Sequence, residues 1–256
     1  MHHNFLNQKI QLSIVIPCYN EDHRIGRTIE TVIDWAQVRN LCYELIIADD
    51  GSTDKTLAKT KTYKNLIPNL QILALPHQGK GAAVQSGMLS AQGEEVMFMD
   101  ADGSSPLKEI DRLRIALKEG CPIVIGSRFI PKGSPQVVQT HLHRKWIGRC
   151  FAFLVNRMIL NGIKDTQCGL KLFKHQVVSD LFPRQRLDGF AFDVEILYLA
   201  RKMGYSIKEI PIDWVNHEGS KVNVFKDSWK MLWDIVRIPF LHCKKNSSIG
   251  PFNHSS

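Results

Sequence analysis

The chain predicts an α/β protein with a mostly parallel sheet flanked by helices. Short apolar runs alternate with helix-length stretches along most of its length, the pattern of βαβ units. The runs are apolar throughout, not at every second residue, as expected of strands covered on both faces. Two of them, Leu45-Ile46-Ile47-Ala48 and Val96-Met97-Phe98-Met99, end in acids, Asp49-Asp50 and Asp100-Ala101-Asp102. Acids at the carboxyl ends of strands in an open α/β sheet lie where ligands bind.

Taken in order, Leu12 to Pro17 reads as the first buried strand, with Pro17 ending it. Arg24 to Gln37 carries apolar residues at helical spacing. Leu45–Ala48 is a second strand, Asp54–Thr62 a short helix and Leu70–Leu75 a third strand. Gly81–Ala91 is a small-residue helix and Val96–Met99 a fourth strand. Pro106–Lys118 follows as a helix, with Ser105 as N-cap and Pro106 at the first helical position. Ile123–Gly126 is a fifth strand. Beyond it the spacing predicts a long helix over His141–Leu160, a strand over Cys168–Phe173, a helix over Phe192–Met203, a strand over Ile207–Ile212 and an amphipathic helix over Val224–Phe240. No internal repeat or low-complexity linker divides the chain, so a single domain over 10–240 is expected, with a polar, flexible tail at 241–256.

Bulk properties narrow the function. At 256 residues, 44% hydrophobic and 23% charged, the chain has ordinary globular composition. A formal net charge of +8 suits an anionic partner, but the basic residues form no single stripe, so nucleic acid is not expected. The six cysteines show no paired spacing, which fits a reduced, cytoplasmic setting. The start, Met1-His2-His3-Asn4, opens no signal peptide, and no stretch approaches the ~18 apolar residues of a membrane span.

Several short segments could carry chemistry. Two carboxylates one residue apart, Asp100 and Asp102, can grip a hard divalent cation, which can in turn grip a diphosphate. Tyr19, after Pro17, offers a flat face for a base, and Glu21 an acceptor for ring N–H groups. Asp50 is expected to touch base or ribose, although capping alone would explain Ser52 or Asp54. Gln78-Gly79-Lys80-Gly81 precedes a helix and could cradle an anion, without the spacing of a Walker A loop. Arg128 could hold phosphate bidentately, or be a plain surface arginine. Ser220 and Lys221, beside Gly219, suit a loop closing over a diphosphate. Asp165 precedes a strand. Asp193 and Glu195 sit at a helix start, where negative charge is favourable in any case.

Eight stretches in one order, IPCYNE (16–21), ADDGSTD (48–54), QGKGAAV (78–84), MDADG (99–103), IGSR (125–128), DTQCGLKLF (165–173), GFAFDVEIL (189–197) and HEGSKV (217–222), resemble the family 2 glycosyltransferases of the GT-A, Rossmann-like fold. The versions at 165–173 and 189–197 look most like the dolichyl- or polyprenyl-phosphate β-glucosyltransferase branch, related to the mannosyl branch. That resemblance implies an inverting, metal-dependent hexosyltransferase taking glucose from UDP-glucose to a lipid phosphate. Pro17, Tyr19, Glu21 and Asp50 would hold the nucleoside, and Lys80, Asp100, Arg128 and Ser220 would join them in binding the nucleotide sugar. Asp100 and Asp102 would bind Mg²⁺ or Mn²⁺. Asp165, Asp193 and Lys221 would serve the transfer, and Arg144 and Arg149 would meet the acceptor phosphate. Relatives in that branch carry membrane anchors or spans. Here the expected membrane link is peripheral, at the cytoplasmic face, through tryptophans and cations of the C-terminal helix. The competing readings are transfer from GDP-mannose, transfer to a hydroxyl of an envelope or soluble acceptor, and a non-catalytic nucleotide-sugar sensor. The residues leave the oligomeric state open.

Overall fold

A computed structural model describes residues 9–129, 135, 137–139, 160, 162–215 and 224–243. The expected helix over 141–160, the tail from 244, and Arg144, Arg149, Ser220 and Lys221 lie outside the described residues.

The elements run β1 (Leu12–Cys18), α1 (Ile25–Val38), β2 (Tyr43–Asp49), α2 (Thr56–Lys61), β3 (Leu70–Ala74), α3 (Lys80–Ser90), β4 (Glu95–Met99), α4 (Lys108–Lys118), β5 (Ile123–Ser127) and β6 (Val138–Gln139). Then come β7 (Leu170–Lys174), α5 (His175–Leu181), a 3₁₀ turn (Phe182–Arg184), α6 (Phe192–Lys202), β8 (Ile207–Pro211), β9 (Trp214–Val215) and α7 (Val224–Leu241). The main sheet has seven strands in the order β3-β2-β1-β4-β7-β5-β8. All pairings are parallel except those of β7, which runs against both β4 and β5. Expectation and structure therefore agree on an α/β, GT-A-like sheet flanked by helices. The short β6–β9 pair and α5 gave no periodic signal long enough to read.

Side chains leave the sheet alternately toward two apolar layers. Ile14, Ile16, Leu45 and Ile47 pack with Ile25, Ile29 and Val32 of α1 and Leu113 and Leu117 of α4. Val15, Ile46, Phe98 and Phe173 pack with Val84 of α3, Leu181 of α5, Phe192 and Ile196 of α6, and Ile235 and Ile238 of α7. Burying both faces is what makes the strands apolar throughout, and each large side chain contributes about 1.5–3 kcal/mol. On α7, Trp233 and Phe240 stay exposed while Ile235 and Ile238 are buried. Among the described residues no helix is long and apolar enough to cross a membrane.

Two local expectations are corrected. Pro17 does not end β1; it pairs with Ala48 inside the strand. Pairing with β4 has already stopped at Val15 and Phe98, so the missing N–H of Pro17 breaks no rung on that side. Nor does Ser105 cap α4. The helix begins at Lys108 without a side-chain cap, because Glu109 N–H and Ile110 N–H already bond to the carbonyls of Pro106 and Leu107 in a tighter leading turn.

Candidate active site

From β1 the chain builds outward through β2 and β3, then crosses back to lay β4 on the other side of β1, so the strand order reverses at β1. In open α/β sheets the crevice outside the strand ends at such a point is the ligand site. The loops after β1, β2 and β4 border it, and they carry most of the expected residues.

The loops after β1 and β2 are laced together. Asn20 N–H donates to Ser52 Oγ at 2.8 Å and Glu21 N–H to Thr56 Oγ1 at 2.7 Å, while Asn20 Oδ1 accepts from Thr53 N–H at 2.8 Å. Glu21, expected to face a base, takes a bidentate pair from Arg24 at 2.6 and 2.9 Å. Asp49 is fully buried and accepts from Ser52 N–H at 2.9 Å. Asp50 accepts from Gln78 N–H at 2.8 Å and, through both oxygens, from Gly79 N–H at 3.0 Å. His77 stands 2.8 Å from its Oδ2 and stacks on Tyr19 with ring centroids 4.2 Å apart.

The start of α3 differs from its expectation. Gly81 and Ala82 N–H groups donate to the carbonyl of Asp188 at 2.7 and 3.2 Å, so the chain's own backbone fills the anticipated anion cradle. The glycines are needed for that approach. A Cβ on Gly79, at φ +127°, would lie 2.5 Å from the Asp188 oxygen, and one on Gly81 2.6 Å from that of Leu187. Lys80 turns instead to Asp100, with Nζ–Oδ1 at 2.5 Å. Burial opposes charge on Asp100, but the Lys80 ammonium, with Lys171 and Arg128 nearby, holds the carboxyl below its ordinary range.

Asp100 lies against β7. A Cβ at Gly169 would fall 2.0 Å from Asp100 Oδ2, so glycine there opens the space that the carboxylate occupies. Asp102 accepts from Ser104 N–H at 2.9 Å and lines a cavity of about 390 Å³ with Arg24, Arg27, Thr28 and Pro106. Behind Asp100, the fully buried Lys171 donates to Asp193 Oδ1 at 2.5 Å and to the Cys168 carbonyl at 2.6 Å. Burial raises the Asp193 carboxyl above its usual range, and the Lys171 and Lys80 ammonium groups offset this only in part.

Asp165 and Arg128 hold each other. The guanidinium donates to both carboxylate oxygens at 2.8 Å, the Arg128 backbone N–H donates at 2.8 Å, and the Arg128 guanidinium lies 5.6 Å from the Trp214 ring centroid. Burial works against the Asp165 charge, but Arg128 outweighs it and keeps the carboxyl low. Neither side chain is an unengaged phosphate clamp or base. Glu195, fully buried, accepts from Arg186 and Leu187 N–H at 3.0 and 2.9 Å and faces His242 at 2.6 Å, a wider task than easing a helix dipole.

The structure thus gathers Lys80, Asp100, Asp102 and Asp193 into one charge cluster, with Arg128 near enough to Asp100 to act on its charge; Tyr19 and Asp50 meet instead at His77, Glu21 is held by Arg24, and Pro17 is buried in β1. Sequence reasoning missed Lys171, His77 and Gly169. Lys171 carried a usable signal: a lone lysine within an apolar strand buried on both faces requires an ionic partner. His77 carried none, because its role depends on β3 returning beside β2.

Residues 13–182 match the model of the family described as Glycosyl transferase family 2. A dolichyl-phosphate beta-glucosyltransferase of Dictyostelium discoideum is 36% identical over 243 residues, covering 90% of this chain and 74% of that protein. One from Saccharomyces cerevisiae is 36% identical over 250 residues, covering 91% and 75%. Among solved structures, glucosyl-3-phosphoglycerate synthase of Mycobacterium tuberculosis, in complex with Mn²⁺, UDP and phosphoglyceric acid, superposes with a TM-score of 0.68. That pair is 17% identical, covering 93% of this chain and 80% of that one, and the likeness concerns the fold. With the crevice at the strand-order reversal, the acids that border it and these matches, the chain belongs to glycosyl transferase family 2 and is a glycosyltransferase.

Proposed function

We propose that the chain transfers glucose from UDP-glucose to the phosphate of a polyprenyl or dolichyl carrier, with inversion at the anomeric carbon. The observation that carries this is the placing of Asp100 and Asp102 at the mouth of the switch-point crevice, Asp100 in the gap left by Gly169, in a chain over a third identical to dolichyl-phosphate beta-glucosyltransferases. Asp100 and Asp102 would hold Mg²⁺ or Mn²⁺. They offer hard oxygen donors only, and among the described residues no group of three His, Cys, Asp or Glu is set to hold a metal ion, so the diphosphate would have to supply the remaining ligands. When bound, the ion supplies positive charge where the diphosphate leaves.

The protein's own part is to orient and to balance charge. Lys80 neutralises Asp100 and stands ready at the phosphate end; Tyr19 and the loop after β1 accommodate the nucleoside. Arg144 and Arg149 are proposed to meet the acceptor phosphate, and Ser220 and Lys221 to close on the diphosphate. An acceptor phosphate oxygen forms the new bond to the anomeric carbon as the bond from that carbon to the donor's β-phosphate oxygen breaks, and the electron pair departs on UDP. A phosphate acceptor has a second pKa of about 6 and is already ionised, so no base is required. A second reading, transfer to a hydroxyl acceptor, would need a carboxylate to take the proton; Asp165 and Asp193 are the candidates, each held by a cation, Arg128 or Lys171.

The test is a screen of UDP- and GDP-sugars with and without polyprenyl phosphate. Glucosyl-phosphoryl-polyprenol formed from UDP-glucose alone is the expected result. Transfer only to a hydroxyl acceptor establishes the second reading, transfer from GDP-mannose removes the donor assignment, and metal-independent UDP binding with no transfer at all makes the site a sensor.

A further inference from the structure

Glu195 is fully buried, yet no step of the transfer uses it. Its Oε1 accepts from Arg186 N–H at 3.0 Å and its Oε2 from Leu187 N–H at 2.9 Å, while His242 Nε2 stands 2.6 Å from Oε1. With amide donors on both oxygens the carboxylate only accepts, so Nε2 carries the hydrogen. A buried charge persists only with such partners. His242 follows the last residue of α7, and its side chain is 7% exposed. Two further contacts bind the same end of α7 to α6: Lys202 Nζ donates to the His242 carbonyl, and Ile235 and Ile238 pack with Phe192 and Ile196.

The segment that Glu195 grips is also the one that closes on α3. Gln185 Nε2 donates to the carbonyls of Gly81 and Leu187 at 2.9 and 3.0 Å. The Asp188 carbonyl accepts from Gly81 and Ala82 N–H. The fit has no slack, because a Cβ on Gly79 or Gly81 would lie within 2.5 or 2.6 Å of the Asp188 or Leu187 oxygen. Lys80 sits between these two glycines, at the first residue of α3, and reaches Asp100 Oδ1. A continuous series of contacts therefore runs from His242 through Glu195 and residues 186–188 to Lys80.

We propose that Glu195 is a positioning residue for Lys80, acting through residues 186–188, and that His242 brings the end of α7 into the same support. This rests on the nucleotide-sugar reading above. Two amides and an imidazole fix the carboxylate, and the carboxylate fixes the loop. The Asp188 carbonyl then holds the first turn of α3, and with it the direction from which Lys80 approaches Asp100. Loss of the His242 donor leaves Glu195 short of a partner in a dry site, where an unmatched charge pulls neighbouring dipoles toward itself. The loop shifts, Lys80 loses its seat on Asp100, and the diphosphate end of the donor is held less well.

Steady-state transfer from UDP-glucose to polyprenyl phosphate by the full chain tests this in His242→Phe, which keeps a ring and deletes the donor. Its kcat/KM for UDP-glucose is expected to fall about tenfold, with the KM for polyprenyl phosphate and the melting temperature little changed. His242→Gln, which restores an N–H, is expected to recover part of the loss. In the Lys80→Met background His242→Phe is expected to add nothing, because residues that act through one another are not additive. Amide exchange read by mass spectrometry is expected to quicken over 79–84 and 186–188 in His242→Phe and to stay unchanged in β1 and α4. Should His242→Phe fail to fold, Glu195→Gln takes its place in both measurements with the same expectations. An equal loss of transfer in the Lys80→Met and wild-type backgrounds overturns the inference and leaves the donor reading intact. Unaltered exchange over 79–84 overturns it too, whether or not the wild type transfers glucose; absence of that transfer removes the donor reading.

Discussion

Asp49-Asp50 and Asp100-Asp102 end the two strands that flank β1, and in the sequence they look equivalent. The structure separates them by what their neighbours donate. The first pair is closed in: Asp49 and Asp50 are 0% and 3% exposed, and backbone N–H groups of Ser52, Gln78 and Gly79 take their oxygens. The second pair faces outward. The Asp100 side chain is 38% exposed and is met by the Lys80 ammonium, while Asp102 gives one oxygen to Ser104 N–H and lines an open cavity. A carboxylate saturated by amides builds a loop, whereas one met by a cation at an opening is available to a ligand.

Changing the open pair should hurt most. Asp102→Asn is expected to lower glucosyl transfer about 10³-fold or more, with an unchanged circular-dichroism spectrum and melting curve. Near-normal turnover by that variant would break the distinction at its root. Next comes Gly169→Ala. Its new Cβ must push Asp100 out of place, and misplacement on that scale costs about 10²-fold in kcat with only a small change in Tm. An alanine variant with full kcat would mean that the exact seat of Asp100 is immaterial. The smallest effect belongs to the closed pair. Asp50→Asn sets an amide N–H₂ toward backbone donors or the His77 ring, which costs about 1–3 kcal/mol in urea unfolding and lowers transfer far less than Asp102→Asn. Equal catalytic losses from Asp50→Asn and Asp102→Asn would erase the contrast.

Much of the fold was legible because burial on both faces writes itself into the strands: Leu12–Pro17 and Leu45–Ala48 stand out as largely apolar runs within β1 and β2. Boundaries slipped by a residue or two where caps are backbone, not side chain, as at Lys108, and at Pro17, where tertiary register overrode a local breaker. The reversed direction of β7 was not legible, since Leu170–Lys174 reads the same either way. The acids of the site were legible as types but not as roles. Nothing local in Asp165 reveals that Arg128 claims it, nor in Asp50 that His77–Gly79 will return to it. Those pairings are made by strand order, which a single chain of letters does not display.

The reversed strand has a consequence for how the enzyme comes into being on the ribosome. Among the described residues β7 is the strand that joins β4 to β5 in the sheet, and with Gly169 just before it, it brings Lys171 to the Asp100 side. A nascent polypeptide that has emerged only through β5 possesses Asp100 and Asp102 but neither the wall behind them nor the buried counter-charge. The wall and the counter-charge of the site are thus encoded about seventy residues after the acids they serve, so a fragment ending at β5 is expected to lack glycosyltransferase activity.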